Sequence, residues 1–237
     1  GIKELGFDEV LEVAVGAEMV AYKEGLELKE KGFLTSSCCP AFVKYIETKH
    51  PTMVEHISHN LSPMAELAKH VKKHKPDSKI VFIGPCIAKK AEVKKDTVSQ
   101  YVDYAITFEE LQALFDSKNI ELKKLKWTDW NQASYYGRIF ATTAAVEQML
   151  KELKVKDFEF NPIVCDGIDK CRTALLRASK GLLPNNFIEG MACVGGCIGG
   201  SGNLVRYEDA PEEMEDHIED AVSMEMLPNV KKNINIF

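Results

Sequence analysis

The chain has 237 residues, of which 45% are hydrophobic and 28% charged, a balance typical of globular proteins. Thirty Lys and Arg against 36 Asp and Glu give a net charge of −6, which excludes a general electrostatic attraction to nucleic acid. No apolar run approaches the roughly 20 residues that span a bilayer, and the N-terminus has no signal-peptide core, which favours the cytoplasm.

Hydrophobic runs alternate with helical periodicity along the chain. The predicted elements are a strand over 10–15, helices over 17–31, 40–50 and 61–73, strands over 79–83 and 104–107, a helix over 108–116, a strand over 159–164 and a helix over 169–179. This alternation predicts an α/β fold of two lobes of parallel sheet flanked by helices. We expect the lobes at 1–75 and 76–205. The acidic tail at 206–237 is interpreted as a surface helix or a docking segment.

Seven cysteines are present, an odd number, and two of them are adjacent. This favours metal or redox chemistry over a disulfide framework. Most of them fall in three loops where predicted strands meet turns. Loop one is residues 35–40 (TSSCCP), loop two is residues 83–92 (IGPCIAKKAE) and loop three is residues 189–202 (EGMACVGGCIGGSG).

The three loops together predict an iron–sulfur site. A cubane cluster needs four thiolates that converge on one volume, and small neighbours let backbone N–H groups approach the cluster. Cys193 and Cys197 are four residues apart, so one helical turn would place both on one face. Any single loop is equally compatible with a buried thiol in a tight turn. Cys165 and Cys171 lack such surroundings and are interpreted as ordinary thiols, with a redox role as the alternative.

Taken together, the loops resemble the three signature motifs of [FeFe]-hydrogenases, over roughly Leu5 to Asn203. In that family a [4Fe–4S] cubane is bridged to a two-iron subcluster that carries CO, cyanide and dithiolate ligands and is inserted by maturation proteins. Because open α/β sheets place ligands at strand ends, where the three loops lie, we expect the iron–sulfur cluster between the two lobes. The resemblance implies that the cubane is held by Cys39, Cys86, Cys193 and Cys197. Cys197 would in addition bridge to the two irons.

The same resemblance implies roles for six further residues. Cys38 matches the proton-shuttling thiol, Lys89 the residue that hydrogen-bonds a cyanide, and Met191 a methionine beside the two irons. The family's proton path continues through positions filled here by Glu24, Glu27 and Ser58. A thiol exchanges protons at moderate pH, and an ammonium group donates a charge-assisted hydrogen bond to an anion. The two glutamates are three residues apart, so they share one face of the predicted helix.

Several positions differ from the better-known members of the family and indicate a divergent branch. Gly84 stands for a Met, Phe42 for a Trp, and Ala144 and Ala145 for a Gly pair. The chain contains no CxxCxxC run, and the segment before loop one is shorter than the family's. We therefore expect a truncated chain without the ferredoxin-like N-terminal domains, or else an unusually small member of the family. In either case ferredoxin or a partner subunit is expected to supply the electrons.

The resemblance implies an oxidoreductase that catalyses 2H⁺ + 2e⁻ ⇌ H₂. Two alternatives stay open. One is a hydrogen-sensing regulatory protein on the same scaffold. The other is a non-catalytic iron–sulfur assembly protein that carries only the cubane. Cys38 together with Glu24 favours turnover, because sensory relatives often lose that relay.

Overall fold

The computed structural model describes residues 1–126, 132–142, 146, 148–149, 158–205, 210–221 and 224–225. Within them the helices are α1 (Val13–Lys31), α2 (Pro40–Lys49), α3 (Pro63–His74), α4 (Lys89–Glu92), α5 (Asp96–Ser99), α6 (Phe108–Ser117), α7 (Tyr135–Arg138), α8 (Ile168–Ala178) and α9 (Ala210–Glu219). The strands are β1 (Leu34–Thr35), β2 (Val81–Ile83), β3 (Tyr104–Ile106), β4 (Pro162–Asp166) and β5 (Phe187–Met191). No helix in these ranges is long and apolar enough to cross a membrane.

The strands form two parallel sheets flanked by helices, which confirms the predicted α/β class. One sheet has the order β1-β5-β4, with Leu34 opposite Phe187 and Ile163 opposite Ile188. The other pairs β2 with β3. The first sheet uses residues from both sides of the predicted boundary at residue 75, and the division into lobes at that residue stays a prediction.

The predicted strand over 10–15 is wrong, because α1 begins at Val13. Alternating apolar residues in this stretch resemble a strand, but tertiary contacts fix its first turn as helix. Both Gln132 and Ala133 donate their backbone N–H to Glu12 Oε2 at 2.8 Å, and Arg138 Nη2 lies 2.8 Å from Glu12 Oε1. These tertiary contacts override the local strand propensity of the segment.

The buried core lies between each sheet and its helices. One cluster packs α2 and α8 on the three-stranded sheet and includes Phe42, Leu175 and Ile188. A second packs α3 against the chain that follows α4. Strands β1, β2 and β5 lead at their carboxyl ends into loops one, two and three. Each pairs in parallel with its partner, and the carboxyl ends of parallel strands are where open α/β sheets place ligands.

Candidate iron–sulfur site

Loop one is bound to the strand that carries loop three. Ser36 donates its backbone N–H to the Ile188 carbonyl at 2.9 Å, and its hydroxyl accepts from the Gly190 N–H at 3.0 Å. Cys39 is the N-cap of α2, and Pro40 occupies the first helical position, where a missing N–H costs nothing. The helix therefore begins at the cysteine and fixes its backbone beside β5.

Loop two is bound to loop three. The Gly84 N–H donates to the Ile106 carbonyl at 3.1 Å, which continues the β2–β3 pairing to the loop. The Pro85 carbonyl accepts from the Gly202 N–H at 3.0 Å. Cys86 follows directly and is only partly buried. The second sheet thus brings its cysteine to the end of the first sheet.

Loop three turns sharply between its two cysteines. Gly195 and Gly196 both have a φ of 78°, a conformation that L side chains rarely adopt. The Gly195 N–H donates to Asp166 Oδ2 at 2.9 Å, which ties this turn to the end of β4. Cys193 and Cys197 lie on either side of the turn, so their backbone positions depend on it.

Loop three and α2 are in close contact. A Cβ atom added at Gly190 would collide with the ring of Phe42, which is fully buried. A glycine at this position therefore lets Phe42 pack directly against the strand. Cys165 and Cys171 lie in the same core, 2% and 0% exposed, as expected of ordinary thiols.

The four cysteines of the predicted ligand set interact electrostatically. Burial, followed by the charges of Cys39 and Cys86 and further by that of Cys193, raises the pKa of the Cys197 thiol to about 12. Burial and the same two partners also raise the pKa of Cys193. Charge effects of this kind place the four thiols in one region of the molecule. A bound cation is what makes their deprotonation favourable.

The chemistry of the donor set is the observation that favours a cluster. Among the described residues, no group of three or more Cys, His, Asp or Glu side chains is placed so that it could hold a metal ion. A cubane binds four thiolates. The donor set of soft thiolates fits iron–sulfur chemistry.

Cys38 lies beside a buried carboxylate. Burial, and then the charge of Glu24, raises the pKa of the Cys38 thiol well above its usual value. Glu24 is fully buried on α1, and its Oε1 lies 3.1 Å from the Ser37 backbone nitrogen and 3.2 Å from the Ser37 hydroxyl. Burial raises the pKa of Glu24 to about 7 despite the opposing hydrogen bonds from Ser37. This carboxyl is therefore poised to gain and lose a proton near neutral pH.

Ser58 and Glu27 continue from Glu24 towards the surface. The Ser58 hydroxyl lowers the pKa of both carboxyls, so it lies near each of them. Its hydrogen bond goes to Glu27, and Glu24 Oε2 has no hydrogen-bond partner within the described residues. The Ser58 hydroxyl donates to Glu27 Oε2 at 3.1 Å, and Asn60 Nδ2 donates to the same oxygen at 2.8 Å. Glu27 keeps 13% of its side chain exposed, next to His59. The structure brings together all four predicted proton-path residues, and we call Cys38, Glu24, Ser58 and Glu27 the relay.

Lys89 lies in the same region and is held by a partner that the sequence analysis did not single out. Its ammonium donates to Glu92 Oε2 at 2.6 Å and to the Cys38 carbonyl at 3.3 Å. It also lowers the pKa of Cys197, so its charge reaches the cluster volume. Glu92 lies three residues after Lys89, and this helical spacing is the sequence feature from which the ion pair could have been predicted. Met191, 4% exposed, ends β5 at the entrance to loop three.

Two other buried acids were not singled out by the sequence analysis. Glu189 is 1% exposed at the start of loop three, and its Oε1 accepts from the Val146 N–H at 3.3 Å. Glu18 is fully buried on α1, six residues before Glu24. Neither has a spacing that sets it apart from surface acids in the sequence. Ala144 and Ala145, named above as departures, lie outside the described residues.

A family model and individual relatives both match this chain. The family described as "Iron only hydrogenase large subunit, C-terminal domain" matches residues 1–201. Iron hydrogenase 1 of Clostridium pasteurianum is 28% identical over 253 residues, which cover 85% of this chain and 44% of that protein. Cytosolic iron-sulfur assembly component 3 of Pongo abelii is 23% identical over 237 residues, covering 78% of this chain and 50% of that protein. The chain spans about half the length of the curated relatives it matches.

Solved structures show the same fold. A variant of the [FeFe]-hydrogenase HydA1 from Chlamydomonas reinhardtii superposes with a TM-score of 0.74 at 18% identity, over 100% of this chain and 81% of that one. An [FeFe]-hydrogenase structure on oxygen inactivation of the H cluster gives 0.76 at 20% identity, over 98% and 80%. At such identities the likeness establishes the fold alone.

Proposed function

Since this chain belongs to the iron-only hydrogenase large-subunit family through its C-terminal domain, we propose that it interconverts protons and H₂ by 2H⁺ + 2e⁻ ⇌ H₂. The observation that carries this proposal is the relay. A thiol, two carboxyls and a hydroxyl lie in sequence from the cluster volume to the protein surface. A protein that only stores or transfers a cubane has no use for such a series of proton carriers.

Iron–sulfur binding follows from the family, and we assign the ligands by position. Cys39, Cys86, Cys193 and Cys197 would hold the cubane, and Cys197 would also bridge to the two-iron subcluster. When bound, the two-iron subcluster with its CO, cyanide and dithiolate ligands supplies the site at which protons and electrons combine.

Three residues of the chain would bind and orient that subcluster or deliver protons to it. The Lys89 ammonium, fixed by Glu92, would donate a hydrogen bond to a cyanide. Met191 would pack beside the irons and exclude water. Cys38 would hold the proton nearest the site, because its thiol stays protonated in these surroundings.

Proton movement then follows from the order of the pKa values. Glu24, with a pKa of about 7, exchanges a proton with the Cys38 thiol. Glu27 has a lowered pKa, because the hydrogen bonds from Lys31, His59 and Ser58 outweigh the effect of burial. It therefore stays charged at the water boundary and takes up protons only transiently. Ser58 would carry a proton between the two carboxyls by turning its hydroxyl from Glu27 to the unpartnered Oε2 of Glu24, giving its own proton there and taking one from Glu27.

Electrons, partners and location belong to the same proposal. A ferredoxin or an electron-transfer subunit supplies the electrons, and dedicated maturation proteins insert the two-iron subcluster. One relative is named as an NADP-reducing hydrogenase subunit of Solidesulfovibrio fructosivorans, at 28% identity. Relatives with both cytosolic and periplasmic names occur. We place this chain in the cytoplasm, where seven free cysteines stay reduced.

A second candidate is an iron–sulfur assembly factor. The cytosolic Fe-S cluster assembly factor NAR1 of Botryotinia fuckeliana is 31% identical over 144 residues, covering 52% of this chain. This role would need the four cubane cysteines but not Cys38 as a proton donor. A hydrogen sensor on the same scaffold is the third reading, with bound two-iron subcluster and low turnover.

The deciding experiment is infrared spectroscopy with iron counting on the chain co-produced with hydrogenase maturation proteins. Our proposal expects CO and cyanide bands, about six irons per chain as a cubane plus two irons, and H₂ production from a reduced carrier. A chain produced without the maturation proteins is the matched control and should hold only the cubane. About four irons with no such bands in the matured sample would identify the assembly factor. Full bands with negligible turnover would identify the sensor.

A further inference from the structure

The imidazole of His59 lies at the surface end of the relay and is not one of the four residues that form it. His59 Nδ1 lies 2.8 Å from Glu27 Oε1 and 2.8 Å from the Lys31 ammonium. Lys31 in turn lies 2.9 Å from the same Glu27 oxygen. The His59 side chain is 74% exposed, whereas that of Glu27 is only 13% exposed. The ring therefore lies between the nearly buried carboxylate and bulk water.

The contacts at His59 Nδ1 are compatible with that nitrogen either carrying a proton or lacking one. When Nδ1 carries no proton, it accepts a hydrogen bond from the Lys31 ammonium. When Nδ1 is protonated, it donates to the Glu27 carboxylate. Both partners stand at hydrogen-bond distance, so the surroundings stabilise either state. Either ring nitrogen of a histidine can carry or accept a proton.

Anchoring the loop does not require the ring. The backbone N–H of His59 already donates to Glu27 Oε2 at 3.1 Å and Oε1 at 3.2 Å, and Asn60 donates to Oε2. An exposed ion pair contributes only about 0–1 kcal/mol to stability. The ring is therefore not needed to hold the loop in place.

We propose that His59 is the proton port through which the relay exchanges protons with water. This inference rests on the proposed function, because it assigns the outer end of the same path. Inward transfer is balanced as follows. The Nδ1–H proton of His59 moves to Glu27 Oε1, and a water or buffer acid gives one proton to Nε2. The ring returns to its Nδ1–H form by exchange with solvent, so one proton enters for each one passed on. Outward transfer is the reverse.

The test measures proton access to Glu24 directly and does not require a loaded two-iron site. At pH 6 the carboxyls of Glu24 and Glu18 are both protonated, since each has a pKa of about 7. Their C=O stretches shift when the acid proton is replaced by deuterium, and Glu24→Gln and Glu18→Gln assign the two bands. Rapid transfer of the purified chain into D₂O then gives an exchange rate for each carboxyl. Glu18 is the internal control, because it has no contact with the relay at Glu27.

We expect His59→Gln to slow exchange at Glu24 about ten-fold and to leave Glu18 unchanged. The expected effect is smaller than the 10²–10⁴ of a positioned acid–base group, because part of Glu27 is open to water. His56→Gln is the matched control, a partly exposed imidazole nearby that packs on Phe33. Unchanged exchange at Glu24, or equal slowing at both carboxyls, would overturn the port.

Turnover gives a second, separate readout. In matured protein, His59→Gln should lower H₂ turnover at low buffer concentration, and added imidazole should restore it, while His56→Gln should respond to neither. A structural role for the ring would not be rescued by a free base. If the matured chain has no turnover at all, the proposed function fails, whereas the exchange experiment still decides whether His59 opens the path to Glu24.

Discussion

Glu18 should make the stability of the fold fall as the pH rises. The residue is fully buried on α1, its Oε1 lies 2.7 Å from the Ser134 backbone nitrogen, and its Oε2 has no hydrogen-bond partner within the described part of the chain. Burial raises its pKa from 4.5 to about 7. An unpaired buried carboxylate is costly, so the folded state holds the proton more tightly than the unfolded state.

The sign and size follow from linkage. Between pH 4.5 and about 7 the folded state binds more protons at Glu18 than the unfolded state does. Its contribution is therefore complete below pH 4.5 and is lost as the pH rises through about 7. At about 1.4 kcal/mol per pKa unit, the full loss is on the order of 3 kcal/mol.

Urea unfolding of the wild-type chain and Glu18→Gln at pH 5, 6, 7 and 8 measures this loss. The amide adds an N–H₂ group in place of Oε2, a cost that does not vary with pH. We expect the stability of the variant, relative to wild type, to rise by about 2–3 kcal/mol from pH 5 to pH 8. Glu55→Gln, at a side chain that is 80% exposed, is the control and should show no such trend. Parallel curves for Glu18→Gln and wild type would refute the reasoning.

Three further substitutions test the site. Cys193→Ser should lose the cubane, seen as lost iron and visible absorption, because a serine oxygen matches iron poorly; retained iron would contradict the ligand assignment. Cys38→Ser should keep iron and the CO and cyanide bands but lower H₂ turnover about 100-fold. Loss of iron would show that Cys38 is a ligand. Normal turnover would show that it has no role in proton transfer. Gly190→Ala should destabilise the fold by about 1–3 kcal/mol through overpacking against Phe42. An unchanged urea midpoint would show that the Phe42 ring moves aside without a cost in stability.

The three cysteine loops could be found from the sequence because their chemistry is local. Adjacent glycines and prolines, paired cysteines and the strand-like runs before them lie within a few residues of each other. The α/β class could be predicted for the same reason, since periodicity is a property of short windows. The spacing of Glu24 and Glu27 likewise placed both on one helix face before any contact was known.

The remaining features depend on contacts between residues that are far apart in the sequence. Residues 10–15 resemble a strand, yet Glu12 forms hydrogen bonds with residues about 120 positions away. These contacts fix the chain where α1 begins. Surface acids and buried acids look alike in a sequence, so only packing revealed that Glu18 and Glu24 are enclosed and that their pKa values rise. His59 is 32 residues from Glu27, and only the fold brings its imidazole to that carboxylate. Burial and proximity are properties of the folded chain, and they determine which acids carry protons.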